Sequence, residues 1–307
     1  MEVTFYFPGL IDLIILSVLI LGTALMFIFA AKRTIELIRL LRPFRIIHYA
    51  GFAAGGVVMG AVIGDKPLDI YLLFYIILAV ITAFQAAVFL NDIFDAEIDK
   101  LAGKKTPFTK GIISIRASYI LAAGLAVLSL LLALRCGLNP FLFLLAAHVI
   151  SLLYSTPLVR LKRFYPLNVF LLALAGLAVM YSGFSSHSDF RLFPVRMLVL
   201  VLVTLTATFG TKDMADIEGD RERGIHTLFT LLGLKTGRWV NAALVLVAYL
   251  ATPLILGYLK LYWAAVPAGV GTALVVLARK LREWIILLIY VLFGITILVL
   301  IALGEIF

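Results

Sequence analysis

The chain predicts an all-α integral membrane protein containing two parallel pseudo-repeats, on three observations. Of its 307 residues, 64% are hydrophobic and 14% charged, a balance that soluble domains do not show. Apolar runs of about twenty residues, each long enough to cross a bilayer as a helix, recur along the whole length. Two acidic segments also share a pattern. An offset of 121 carries Asp92, Asp95, Glu97, Asp99, Gly103, Thr106, Phe108 and Thr109 onto Asp213, Asp216, Glu218, Asp220, Gly224, Thr227, Phe229 and Thr230, eight identities in eighteen aligned positions.

Ten spans are expected, at 8–31, 44–64, 68–91, 115–135, 139–157, 166–184, 193–213, 239–258, 262–279 and 284–303. The runs are continuous rather than alternating in polarity, which excludes a transmembrane β-barrel. The first run lacks a basic n-region and is followed by Lys32-Arg33, the pattern of an uncleaved anchor with its N-terminus outside. Residues 33–42 read as an amphipathic interfacial segment. Residues 1–43 are therefore expected to form an anchor and 44–307 the functional domain. Cys136 is the single cysteine, so the chain forms no internal disulfide and has no Cys/His metal spacing. His48, His148, His187 and His226 are scattered and read as packed or interfacial side chains.

Charge placement orients the chain. The connections at 32–45, 92–116, 159–165, 212–238 and 279–283 hold 21 of the 26 basic residues. By the positive-inside rule these loops are cytoplasmic, so both acidic motifs open on that face. The net charge of +9 then follows from topology and contact with anionic lipid headgroups, and nucleic-acid binding is not needed to explain it. Four spans separate equivalent points of the two motifs. An even number keeps them on one side and makes the repeats parallel.

Helical geometry narrows the motifs. On a helix Asn91, Asp92, Asp95 and Asp99 fall at about 0°, 100°, 40° and 80°, while Glu97 falls near 240°. The same arithmetic groups Asp213, Asp216 and Asp220 and sets Glu218 apart. Both glutamates are left to structural pairing with Lys100, Lys104, Arg221 or Arg223. Three carboxylates on one stripe, twice, suit a hard cation such as Mg2+, which shares its ligands with a substrate phosphate. Two such ions would clamp a diphosphate. Tyr154-Ser155-Thr156-Pro157-Leu158-Val159-Arg160-Leu161-Lys162-Arg163 supplies cationic partners in Arg160 and Lys162, and Lys212 precedes the second motif. Lys104, Lys105 and Lys110 fit loop solvation equally well.

These residues resemble the UbiA superfamily of intramembrane prenyltransferases from Arg42 onward. The likeness rests on Asn91-Asp92-x-x-Asp95-x-x-x-Asp99, on Tyr154-Ser155-x-Pro157-x-x-Arg160-Leu161-Lys162-Arg163, and on Lys212-Asp213-x-x-Asp216-x-Glu218-Gly219-Asp220-Arg221. The resemblance implies a nine-helix barrel around a central cavity, here with an extra N-terminal helix. It also implies two Mg2+ ions, a prenyl diphosphate donor and a lipophilic acceptor, an aromatic quinone precursor or a glycerol-phosphate lipid. Asn91, Asp92, Asp95, Asp99, Asp213, Asp216 and Asp220 would surround the metals, and Tyr154 and Lys162 would touch the diphosphate. Asp92, Asp95, Asp213, Asp216 and Tyr154 are the expected catalytic set, with Asn91, Arg160, Lys162 and Lys212 on the diphosphate. The chain departs from the family in reading Gly103-Lys104-Lys105-Thr106-Pro107, where an Arg-Pro pair is common. A membrane terpene cyclase on the same scaffold is the second reading. A divalent-cation or lipid transporter is the third, and the confinement of patterned carboxylates to one face disfavours it.

Overall fold

The structure is a computed structural model describing residues 3–4, 9–39, 41–101, 114–214, 217–278 and 281–307, without the side chains of 39 and 97–101. Among the described residues, ten helices are long and apolar enough to cross a membrane. In hydrocarbon a helix satisfies its own backbone polar groups, so apolar runs of this length become helices and little else. α1 (Leu10–Arg39) precedes α2 (Pro43–Ile63), α3 (Ile70–Leu101), α4 (Ile115–Arg135), α5 (Leu138–Ser155), α6 (Leu167–Phe184) and α7 (Val195–Thr208). Then come the short α8 (Ile217–Glu222), α9 (Leu228–Leu256), α10 (Tyr262–Leu277) and α11 (Glu283–Ala302).

Local chemistry sets several boundaries. Pro43 opens α2 at a position where a missing N–H costs nothing. The Asp69 carboxylate accepts from Tyr71 and Leu72 N–H (2.8 and 3.1 Å) at the start of α3, and the Ser114 hydroxyl caps α4. Several boundaries differ from the sequence expectation, and α3 runs on to Leu101 rather than ending at 91. The span expected at 239–258 is preceded by a helical turn from Leu228, started by a capping box between Thr227 and Thr230 and joined to the long run across non-helical geometry at Gly233 (φ 75°). Lys235 and Arg238 had made that stretch read as loop. The first helix also runs on through the segment expected to be separate, with non-helical geometry at Ala30 marking the joint.

The repeat is visible in the architecture. The 121-residue offset maps the last residue of α2 onto that of α6, and the last residue of α4 onto that of α9. α2 and α6 cross very closely. A Cβ on Gly56 would lie 2.1 Å from the Met180 carbonyl oxygen, and one on Gly183 would lie 2.2 Å from that of Ala53. Small residues permit such approaches between membrane helices. α11 packs on α2 and α10 and completes the ring.

α1 stands largely apart, exposed along most of its length. Its tether is Asp12. The Tyr75 hydroxyl donates to Asp12 Oδ1 (2.6 Å), Arg135 Nε donates to the same oxygen (3.2 Å), and Gly9 N–H donates to Oδ2 (2.9 Å). A two-residue parallel pairing of β1 (Val3–Thr4) with β2 (Leu68–Asp69) lies at the same end.

Candidate active site

α3 continues unbroken through the first motif, as the stripe arithmetic assumes, and Asn91, Asp92 and Asp95 all line the central cavity. Asp95 is only 5% exposed. Its Oδ1 accepts from Arg160 Nη2 at 2.7 Å and its Oδ2 from Lys162 Nζ at 2.7 Å. Asn91 Oδ1 accepts from Lys162 Nζ (2.9 Å) and from Ser155 Oγ (3.2 Å). Asp92 Oδ1 accepts from Arg42 Nη2 at 2.9 Å. The Asp99 side chain lies outside the described residues.

The middle loop delivers the two cations. α5 stops at Ser155 because Pro157 two residues on disfavours helical continuation. Arg160 N–H turns back to the Thr156 carbonyl at 2.7 Å, and Arg160 itself adopts φ 45°. A left-handed backbone at a non-glycine residue costs roughly 1–2 kcal/mol, offset here by the ion pair that its side chain makes. A 3-10 turn at Leu161–Arg163 then brings Lys162 inward, where it is buried. Burial pulls its ammonium below the usual lysine range, against the opposing pull of Asp95. His226 N–H donates to the Arg163 carbonyl (3.0 Å), linking this loop to the one after the second motif.

The second motif is built differently from the first: Asp213 and Asp220 both line the cavity, but from a 3-10 segment and a separate short helix, which corrects the α-helical geometry expected of Asp213, Asp216 and Asp220. α7 ends at Thr208, and Phe209–Met214 is a 3-10 segment, followed by α8. A 3-10 helix turns every three residues, so the angles computed for an α-helix do not carry across it. Asn241 of α9, fully buried, explains the tight turn. Its Nδ2 donates to Thr211 Oγ1 (2.9 Å), which in turn donates to the Thr208 carbonyl (2.9 Å). Asp213 is buried and paired with its neighbour Lys212. Asp220 faces the cavity from α8, whereas Glu218 is exposed. Asp216, Lys104, Lys105 and Lys110 lie outside the described residues. Tyr154 lines the cavity in the last turn of α5, with Lys212 and Asp213 in its electrostatic surroundings.

The cavity measures about 730 Å³. Its charged side chains gather at the motif end, and its walls below are apolar and aromatic. Among the described residues no three His, Cys, Asp or Glu side chains converge as a protein-only metal cage. The donor set nonetheless fits Mg2+, which takes oxygen ligands, dehydrates reluctantly, and uses one or two carboxylates together with substrate phosphate. Asp92, Asp95 and Asp213, with the Asn91 amide oxygen, supply such ligands from opposite sides of the cavity mouth. Sequence reasoning had given no role to Arg42, Ser155, Thr211 or Asn241. Their partners lie 30 to 64 residues away, so no local pattern shows what they touch.

Known proteins agree with this architecture. The UbiA prenyltransferase family model matches residues 52–285. A digeranylgeranylglyceryl phosphate synthase of Sulfolobus acidocaldarius is 29% identical over 237 residues, covering 76% of this chain and 82% of its own. A 2-acylphloroglucinol 4-prenyltransferase of Humulus lupulus is 31% identical over 172 residues, 53% of this chain and 42% of its own. A UbiA homolog from Archaeoglobus fulgidus, solved with GPP and Mg2+, shares the fold at a TM-score of 0.67 and 18% identity, covering 88% of this chain and 98% of its own. With the matched region spanning three quarters of its length, the chain belongs to the UbiA prenyltransferase family and is a multi-pass membrane enzyme that transfers alkyl or aryl groups.

Proposed function

We propose that the protein transfers an isoprenyl chain from a prenyl diphosphate to a lipophilic acceptor, in a Mg2+-dependent reaction at the cytoplasmic mouth of the cavity. The observation that carries this reading is the meeting of Arg160, Lys162 and Lys212 with Asp92, Asp95 and Asp213 above an apolar chamber. Residues 44–307 form the catalytic domain in this reading, and residues 1–43 anchor it.

Two Mg2+ ions, held by the carboxylates of the two motifs, would supply Lewis-acid stabilisation to the departing diphosphate. The side chains do the rest. Arg160 and Lys162, which bond Asp95 in this structure, turn to phosphate oxygens and neutralise charge as the C1–O bond breaks. Lys212 and Tyr154 face the same charge from the other side. The electron pair leaves with the diphosphate. A nucleophilic carbon or oxygen of the acceptor closes the new bond to C1 and sheds a proton, while the apolar walls keep water from the allylic cation. The relatives' names support an acceptor of either the glycerol-phosphate or the aromatic class.

The test is incubation of membranes containing the protein with radiolabelled prenyl diphosphates and acceptors of both classes, with and without Mg2+. One labelled, acceptor-dependent product that vanishes in Asp95→Ala and Asp213→Ala is expected. Activity retained in both variants defeats the assignment, and a cyclic hydrocarbon formed without acceptor replaces it with a cyclase.

A further inference from the structure

We infer that Met180 and Met197 form the floor of the cavity and set the donor length at about four isoprene units. This rests on reading the motif end as a prenyl diphosphate site. Both methionines line the cavity. Met180 lies one turn before the end of α6 and Met197 lies in the first turn of α7, so both sit far from the carboxylates. Beneath them the cavity stops. Phe184 is fully buried and Phe193 nearly so, with ring centroids 5.1 Å apart. Phe193 also stacks on Tyr181 at 3.9 Å.

This plug cannot yield easily. The Phe184 backbone lies against Gly60 of α2 so closely that a Cβ there would come within 2.4 Å of its carbonyl oxygen. Packed interiors of this kind resist displacement. Methionine adapts its shape to a chain end, while the aromatic pair behind it fixes how far it can retreat.

Depth follows from the walls. Asn168 and Met180 both line the cavity on α6, and their separation corresponds to about 18 Å at about 1.5 Å per residue. Asn91 and Val80 bound it on α3, about 16 Å apart by the same rise. An extended isoprene unit adds four carbon–carbon bonds of about 1.5 Å, a projected advance of roughly 5 Å. Three units stop short of the methionines, the fourth reaches them, and a fifth must fold back. Val201, buried one turn from Met197 on α7, lines the same wall and offers a place to raise the floor.

The experiment is a competition series on the purified full-length chain in one detergent with Mg2+, using C5, C10, C15, C20 and C25 prenyl diphosphates. Affinity should tighten with each unit through C20 and gain nothing at C25. Met197→Ala should improve C25 by about tenfold, and Val201→Phe should weaken C20 by about tenfold while sparing C10, as expected for apolar groups gained or denied burial. C10 binding also reports that each variant is folded with its mouth intact. A wild-type profile still rising from C20 to C25, or folded variants whose profile does not move, overturns the floor. Failure of C10 to bind, or its indifference to Mg2+, instead defeats the diphosphate-site reading itself.

Discussion

Lys162 Nζ lies 2.7 Å from Asp95 Oδ2, with both side chains buried, and Arg160 takes the other oxygen of the same carboxylate. A motif expected to hold metal is thus held by two cations carried by a loop more than sixty residues away. Removing Asp95 strands two buried positive charges, a loss of roughly 3–5 kcal/mol when such a pair is broken. Asp95→Ala should therefore lower the melting temperature as well as abolish turnover. The Asp95→Ala/Lys162→Met double variant should recover part of the stability and none of the activity. A double-mutant cycle read by thermal unfolding checks this coupling.

Asn241 bonds Thr211 and so holds the turn that presents Lys212 and Asp213. Asn241→Leu should reduce kcat by about a hundredfold through misplacement alone, with a smaller change in donor KM. Steady-state kinetics of the two variants Asn241→Leu and Asn241→Asp separate positioning from loss of fold.

The α2–α6 crossing leaves no room for a methyl group at Gly183. Gly183→Ala should cost about 1–3 kcal/mol or more, as overpacking does. Gly124→Ala, where the added Cβ meets nothing within 4 Å beyond its own stretch of helix backbone, should be neutral or slightly stabilising. Thermal unfolding in detergent compares them directly.

His187, on the connection between α6 and α7, accepts Asp69 N–H at Nε2 (3.1 Å), and its Nδ1 lies 2.7 Å from Ser186 Oγ. The Ser186 hydroxyl donates to the Gly183 carbonyl, so Nδ1 carries the ring's one proton. Burial pushes the histidine below its ordinary value of 6.5. The folded state then binds protons less readily than the unfolded one. Its contribution to stability is complete above about pH 6.5 and declines as pH falls below it. Melting curves from pH 7.5 to 5.5 should show this slope, and His187→Gln should flatten it.

Asp12→Asn should loosen α1 without harming catalysis, because the motif end is untouched. Weakening the Tyr75 and Arg135 bonds should cost about 1–3 kcal/mol locally. Crosslinking between cysteines placed on α1 and α3 measures the detachment, and turnover should stay at the wild-type rate.

Much of this was legible in the residues. Span number, helix type and the doubled acidic motif follow from hydropathy and spacing, because a chain in lipid must satisfy its backbone locally. α3 carries Asn91, Asp92 and Asp95 on one stripe for that reason. The second motif is not α-helical at Asp213, where Asn241 reaches across from α9 and holds the 3-10 turn at Thr211, yet Asp213 and Asp220 both line the cavity. Arg160 and Lys162 read as ligands for phosphate, and the structure places both on Asp95. The sequence by itself determined that ten apolar segments form helices and that the first motif's Asn91, Asp92 and Asp95 share one face of α3. Only the tertiary structure decided which cation meets which carboxylate and where the cavity ends. Those contacts join residues tens of positions apart, and their energies depend on burial that no local window contains.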